Sequence, residues 1–277
     1  MHKPSLTHYA AAIGASVMLT LPLAAHAHRT FLLPSTTLAD KAGAIVTFDA
    51  SASEELFVPD HALQLGELAV DGPNNTHPQP ENTWKGKQRS SFELKLPEAG
   101  TYRVSLVNDG LSAMYKVDGQ MKRWRGTAET FSKEVPANAE GLNVTRMQSR
   151  VETFVRAGDD GGKTEWKSNG NGLEMTPLTA PTELFAGDTT VLRFTLNGKP
   201  AADLAVTIIR GGNRYRDALG EITLKTDRDG KISIKWPDAG MYWIGTNTGR
   251  PPKDSTGTLE KPLVRASYSA TLEVLQP

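Results

Sequence analysis

Apolar and polar residues alternate with a period of two along much of the chain. "AIVTFDAS" (44–51), "SFELKLP" (91–97), "TYRVSLVN" (101–108) and "VETFVRAG" (151–158) all show it. Successive side chains of an extended strand point to opposite faces, so the pattern predicts strands with one face buried and one wet. The C-terminal part carries seven more such segments: "LEMTPL", "TTVLRFTLNG", "LAVTIIRGG", "EITLKTD", "KISIKWP", "GMYWIGT" and "SYSATLEVL". The turn formers "FAGD", "NGKPAAD", "DRDG" and "PDAG" separate them. Short strands with a turn signal about every 8–12 residues predict an immunoglobulin-like β-sandwich. Trp236, Tyr242, Trp243, Leu192, Phe194 and Ile208 are its expected core. Helical periodicity is scarce, and "TAETFSKEV" (127–135) is the one short candidate.

Punctuation sets the expected organisation. "LPEAGTYRV" (96–104) and "WPDAGMYWI" (236–244) share the form P-acid-A-G-x-Y, which suggests two related sandwiches, each using it to turn a hairpin. "TDRDGKIS" (226–233) holds part of a calcium-loop pattern but lacks its third ligand and closing Glu, so it reads as a hairpin turn with Gly230 at positive φ. "AGDDGGKTEWKSNGNG" (157–172) offers little to bury except Trp166 and reads as a linker or exposed loop. The expectation is an all-β protein of two immunoglobulin-like sandwiches, residues 28–156 and 173–277, following a cleaved signal peptide at 1–27.

That signal rests on the run from Ala10 to Ala25, apolar or small apart from Ser16, Thr20 and Pro22. Such a run suits a signal peptide better than a membrane span, which needs roughly 20 apolar residues. Ala25 and Ala27 supply the A-x-A pattern that a signal peptidase reads, which places the cut between Ala27 and His28 and the product in the periplasm. No later stretch approaches spanning length. Lysine and arginine (31) balance aspartate and glutamate (31), which argues against nucleic acid or an anionic membrane as partner. Without cysteine there is neither a disulfide nor a thiolate ligand, and the fold rests on burial and hydrogen bonding alone.

Histidine changes the picture most. Three of the six, His28, His61 and His77, lie beyond the cut. No H-E-x-x-H, G-x-S-x-G, P-loop or cysteine nucleophile is present, so a non-catalytic binding protein is expected. An N-terminal histidine offers one ion two nitrogens, its α-amine and its ring. The amine pKa is about 7.7–8.0, so freeing it at neutral pH costs on the order of 1 kcal/mol. That is small beside the roughly 10–16 kcal/mol of structural zinc binding. His61, in "ELFVPDHALQL", supplies a third nitrogen, with Asp60 to ligate or orient it. His77, in "PNNTHPQPEN", reads as a solvated residue of a Pro/Asn turn or, alternatively, as a mobile extra ligand. Nitrogen and oxygen donors suit divalent nickel, cobalt or copper rather than thiolate-bound Cu(I). By residue type the set is similar to the histidine brace of copper proteins. "HRTFLLPS" predicts a first strand that holds His28 near the fold. "MYKVDGQMKRWRG" (114–126) reads as a strand pair turning at "VDGQ". Its cations Lys116, Lys122, Arg123 and Arg125 form a solvated face or, alternatively, meet an anionic ligand.

"AHAHRTFLLPS", "ELFVPDHALQL", "GLEMTPLTAPTELFAGDTTVLRFTLNGKPAADLAVTI" and "TDRDGKISIKWPDAGMYWI" together resemble the DUF4198 family of exported bacterial proteins over almost the whole mature chain. That family is often labelled as periplasmic components of nickel or cobalt uptake. The resemblance implies a two-domain periplasmic β protein that binds a divalent transition metal and supplies an inner-membrane transporter. Two other readings stand beside it. One is a metal-free envelope adaptor that binds a protein or glycan, whose sign is an exposed aromatic patch containing Trp84 or Trp124. The other is a copper-dependent oxidase.

Overall fold

The computed structural model describes residues 28–159 and 163–277. The expected signal segment and the Ala27–His28 bond lie outside the described residues. The first half forms β1 (Arg29–Pro34), β2 (Leu38–Ala39), β3 (Ala44–Ser53), β4 (His61–Ala62), β5 (Glu67–Asp71), β6 (Glu81–Lys85), β7 (Ser90–Leu96), β8 (Gly100–Val117), β9 (Gln120–Gly126), the helix α1 (Ala128–Glu134) and β10 (Glu140–Ala157). The second half adds β11 (Leu173–Pro177), β12 (Thr189–Leu196), β13 (Lys199–Pro200), β14 (Ala205–Arg210), β15 (Ile222–Lys225), β16 (Lys231–Lys235), β17 (Gly240–Asn247) and β18 (Leu263–Val274). Two short 3₁₀ turns complete the described elements. The protein is all-β with immunoglobulin-like sandwich packing. All seven C-terminal segments with period-two patterning are strands, and the short helix stands where the pattern placed it.

The strands make three sheets. A five-stranded sheet runs β1-β3-β7-β6 with β4 also on β3, a four-stranded one runs β11-β12-β13 with β16 on β12, and a nine-stranded one runs β15-β14-β17-β18-β10-β8-β5 with β2 and β9 at its margins. Leu32, Val46, Phe48, Phe92 and Leu94 of the five-stranded sheet pack on Tyr102, Val104, Leu106, Val151 and Val155 of the nine-stranded one. At its other end the same sheet packs Ile208, Tyr242, Ile244 and Leu272 on Leu192, Phe194 and Ile232 of the four-stranded one and on Trp236 just after β16. Five of the six expected core residues are therefore buried inside; Trp243 stands on the opposite face and is half-buried.

Two cores thus match the two halves, yet one sheet serves both. β10 and β18 pair in parallel from Thr145 opposite Leu263 to Thr153 opposite Thr271. The glycine-rich stretch is not a free tether where it is described. Trp166 packs edge-on against Phe154 at 5.5 Å, and Arg103 donates to the Lys167 carbonyl at 2.8 Å. Beneath the junction lies a polar cluster: Glu152, fully buried, accepts from Ser105 (2.8 Å), Arg150 (3.1 Å) and Tyr268 (2.7 Å). Desolvation, reinforced by the Glu152 carboxylate, pushes the Tyr268 phenol well above its ordinary pKa.

Neither "PEAG" nor "PDAG" closes a hairpin. β7 and β8 belong to different sheets, as do β16 and β17, so each motif carries the chain across a core. The shared tyrosine shows why. Tyr102 donates to the Glu98 carbonyl at 2.8 Å and Tyr242 to the Asp238 carbonyl at 2.9 Å, tying ring and corner together as in immunoglobulin-like folds. "TDRDG" also crosses between sheets, from β15 to β16. Gly230 does take φ +75°, and there a Cβ would strike the Phe194 carbonyl.

Candidate metal centre

The site forms where β3 ends. The burial of β3 alternates through Val46, Phe48 and Ala50, and then Ala50, Ser51, Ala52 and Ser53 are all buried because both faces are covered. Only small side chains fit under such cover. β1 lies along one edge of this end, with Arg29 opposite Ser53 and Thr30 opposite Ala52. β4 lies along the other edge, with His61 opposite Ala52. His28, one residue ahead of β1, and His61 are thereby drawn to the same strand end.

Asp60 sits between the two rings. Its Oδ2 is 3.1 Å from His61 Nδ1 and 3.6 Å from His28 Nε2. The imidazoles meet edge to face, with centroids 4.6 Å apart and planes at 87°. One ligand atom from each of the three residues lies within 4.8 Å of the others. Donors about 2.0–2.1 Å from an ion are about 4.2 Å apart when opposite one another, so small side-chain rotations would close the set on a metal. All three residues are exposed, which keeps the desolvation cost of ionic ligands low and leaves coordination positions open.

Residues distant in sequence hold the site in place. The buried Ser51 hydroxyl accepts from the Asp60 N–H (3.3 Å), donates to the Gln88 carbonyl (2.8 Å) and has the His61 carbonyl 3.1 Å away. Trp243 Nε1 donates to the Thr30 carbonyl at 2.9 Å, the Ser269 hydroxyl reaches the same oxygen, and Arg29 stacks over the Trp243 ring. In the loop before Asp60, Glu55 forms a two-pronged pair with Arg214, which holds its carboxyl below the usual range. Phe57, at φ 64°, packs on Phe31 and occupies room left by Gly211, where a Cβ would come within 2.6 Å of its ring. The sequence signalled the three candidate ligands His28, Asp60 and His61. It carried no signal for Ser51, Phe57 or Arg214, and Trp243 was assigned to the core.

His77 stands apart from this group. Its Nδ1 lies 2.8 Å from the Val70 carbonyl and 3.7 Å from Asp71, whose carboxylate also takes Arg103. The backbone contact anchors the ring to β5, so it does not join His28 and His61. Of the two aromatics named for an adaptor surface, Trp84 is exposed, whereas Trp124 is buried against Phe131 and donates to Glu134 at 2.6 Å. Lys116, Lys122, Arg123 and Arg125 are exposed, and the strand pair does turn at Asp118 and Gly119, both at positive φ. No helix among the described residues is long and apolar enough to cross a membrane.

Fold and site together define an all-β protein of immunoglobulin-like architecture with an exposed nitrogen–oxygen donor cluster at one strand end. The chain belongs to DUF4198, described as a domain of unknown function, whose model matches residues 25–249. No curated protein matches it. Among solved structures it is similar to the D0-D1 domain of intimin (13% identity, covering 88% of this chain and 97% of that one, TM-score 0.21). It is also similar to the adhesin InvE of Yersinia pseudotuberculosis (8%, covering 88% and 58%, TM-score 0.23) and the human OSCAR ligand-binding domain (11%, covering 89% and 99%, TM-score 0.22).

Proposed function

We propose that the chain is a non-catalytic periplasmic binding protein that takes a divalent transition-metal ion and passes it to an inner-membrane transporter. The observation that carries this reading is the convergence of His28, Asp60 and His61 within 4.8 Å. If export frees the His28 amine, three nitrogens and one carboxylate oxygen become available, a donor set suited to nickel, cobalt or copper. The family resemblance favours nickel or cobalt. The exposure of all three residues suits a carrier, because a receiving protein can attack the ion before the donor's ligands let go.

The test is a competition titration of protein starting at His28 against the same protein with one residue added in front. One tight site is expected in the first form, weakened by at least about a hundredfold in the second and in His61→Ala. Equal affinity in the two forms would remove the amine from the ligand set. No binding of nickel, cobalt or copper by either form would refute the metal reading.

A further inference from the structure

We propose that a trough on the exposed face of the nine-stranded sheet, between Arg125 and Arg265, binds a small dicarboxylate or tricarboxylate. The cavity is about 430 Å³ and both arginines line it. Strand register puts them on one face. Arg125 stands opposite Ser112 across β9 and β8, Ser112 stands opposite Thr145, and two residues further along β10 Met147 stands opposite both Gly110 and Arg265. Among the described residues neither guanidinium has an ion-pair partner within 4.0 Å. Two unneutralised arginines facing one cavity make a site for anionic oxygen, which the guanidinium fork binds in paired hydrogen bonds.

The geometry selects the kind of anion. Arg125 and Arg265 are three strand spacings and two residues apart, about 16 Å between main chains, with two intervening strands between them. Their long stems can reach inward over that gap, but a compact anion such as phosphate meets both forks only when both stems extend fully toward each other. A carbon skeleton with a carboxylate at each end spans both. The floor suits such a skeleton as well. Gly110, Ser112, Ser149 and Ser267 keep it low and offer hydroxyls, while Met147 presents an apolar surface. The cationic "KRWR" strand is thus more than a solvated face: one of its arginines looks across the sheet at a cation contributed more than a hundred residues later. The proposal is independent of the metal reading, since no residue of the His28 cluster lines this cavity.

The test is calorimetric titration of the full chain, in metal-free buffer of low ionic strength, with succinate, glutarate, tricarballylate and inorganic phosphate. At least one polycarboxylate is expected to bind saturably at one site, with phosphate at least about tenfold weaker. Arg125→Gln and Arg265→Gln should each weaken that binding by about tenfold or more with an unchanged melting temperature, because both side chains lie at the surface and lack ion pairs. Should Arg265→Gln fail to fold, Arg125→Gln, at an exposed position, decides alone. Absence of saturable polycarboxylate binding, phosphate binding as tight as the best polycarboxylate, or wild-type affinity in the variants would each overturn the proposal.

Discussion

Replacing Ser51 by alanine tests whether the candidate site is held by the end of β3. The change removes one oxygen atom and leaves the methylene in place, so it opens almost no cavity. What it removes is the bond to the Gln88 carbonyl, the bond from the Asp60 N–H and the approach of the His61 carbonyl. Each neutral hydrogen bond contributes about 0.5–1.5 kcal/mol net, so losing two costs about 2 kcal/mol. For a chain of this size that lowers the melting temperature by about 4–8 °C. The loss should be local in origin. Amide hydrogen exchange at residues 60–62 should accelerate, while the C-terminal core keeps its protection. Metal affinity should fall by less than about tenfold, since Glu55–Arg214 and Phe57 still clamp the loop. An unchanged melting temperature together with unchanged exchange at 60–62 would refute the claim that Ser51 positions Asp60 and His61.

Two further outcomes follow from the junction. Glu152→Ala takes a buried carboxylate from Ser105, Arg150 and Tyr268, while Arg150 keeps Glu174 and Arg103 keeps Asp71, and should destabilise by about 2–3 kcal/mol, read by denaturant titration; a loss under about 1 kcal/mol would show that the remaining partners or water compensate. Tyr268 has a raised pKa, so above the unfolded value near 10 the unfolded chain releases a proton that the folded chain keeps. Stability should therefore fall as pH rises past about 10, by up to about 1.4 kcal/mol per pH unit from this one group. Tyr268→Phe should flatten the fall in a melting-temperature profile between about pH 9 and 11.5, and an unflattened profile would count against it.

Strand identity was legible because side-chain alternation is local: each of the seven C-terminal segments shows its own buried face without reference to a partner. The first strand was legible too, since Phe31 and Leu32 after His28 have nowhere to go but a core. Hairpin and inter-sheet arch, however, begin with the same P-acid-A-G residues. The choice between them depends on which sheet the next strand joins, and the tyrosines that lock the corner look like ordinary core residues until their hydroxyls are seen on Glu98 and Asp238.

The same division governs the site. The sequence by itself determined that one of its scarce histidines would stand just ahead of a first strand and another next to an aspartate, because those features sit within a few residues of one another. Only the tertiary structure decided that His28 and His61 meet while His77 does not, since that depends on β1 and β4 flanking one strand end and on β5 capturing the third ring. Trp243 is 213 residues from the carbonyl it holds, and Arg214 is 159 from its glutamate. Packing free energy acts through space, and no local pattern in the chain records which distant strands it brings together.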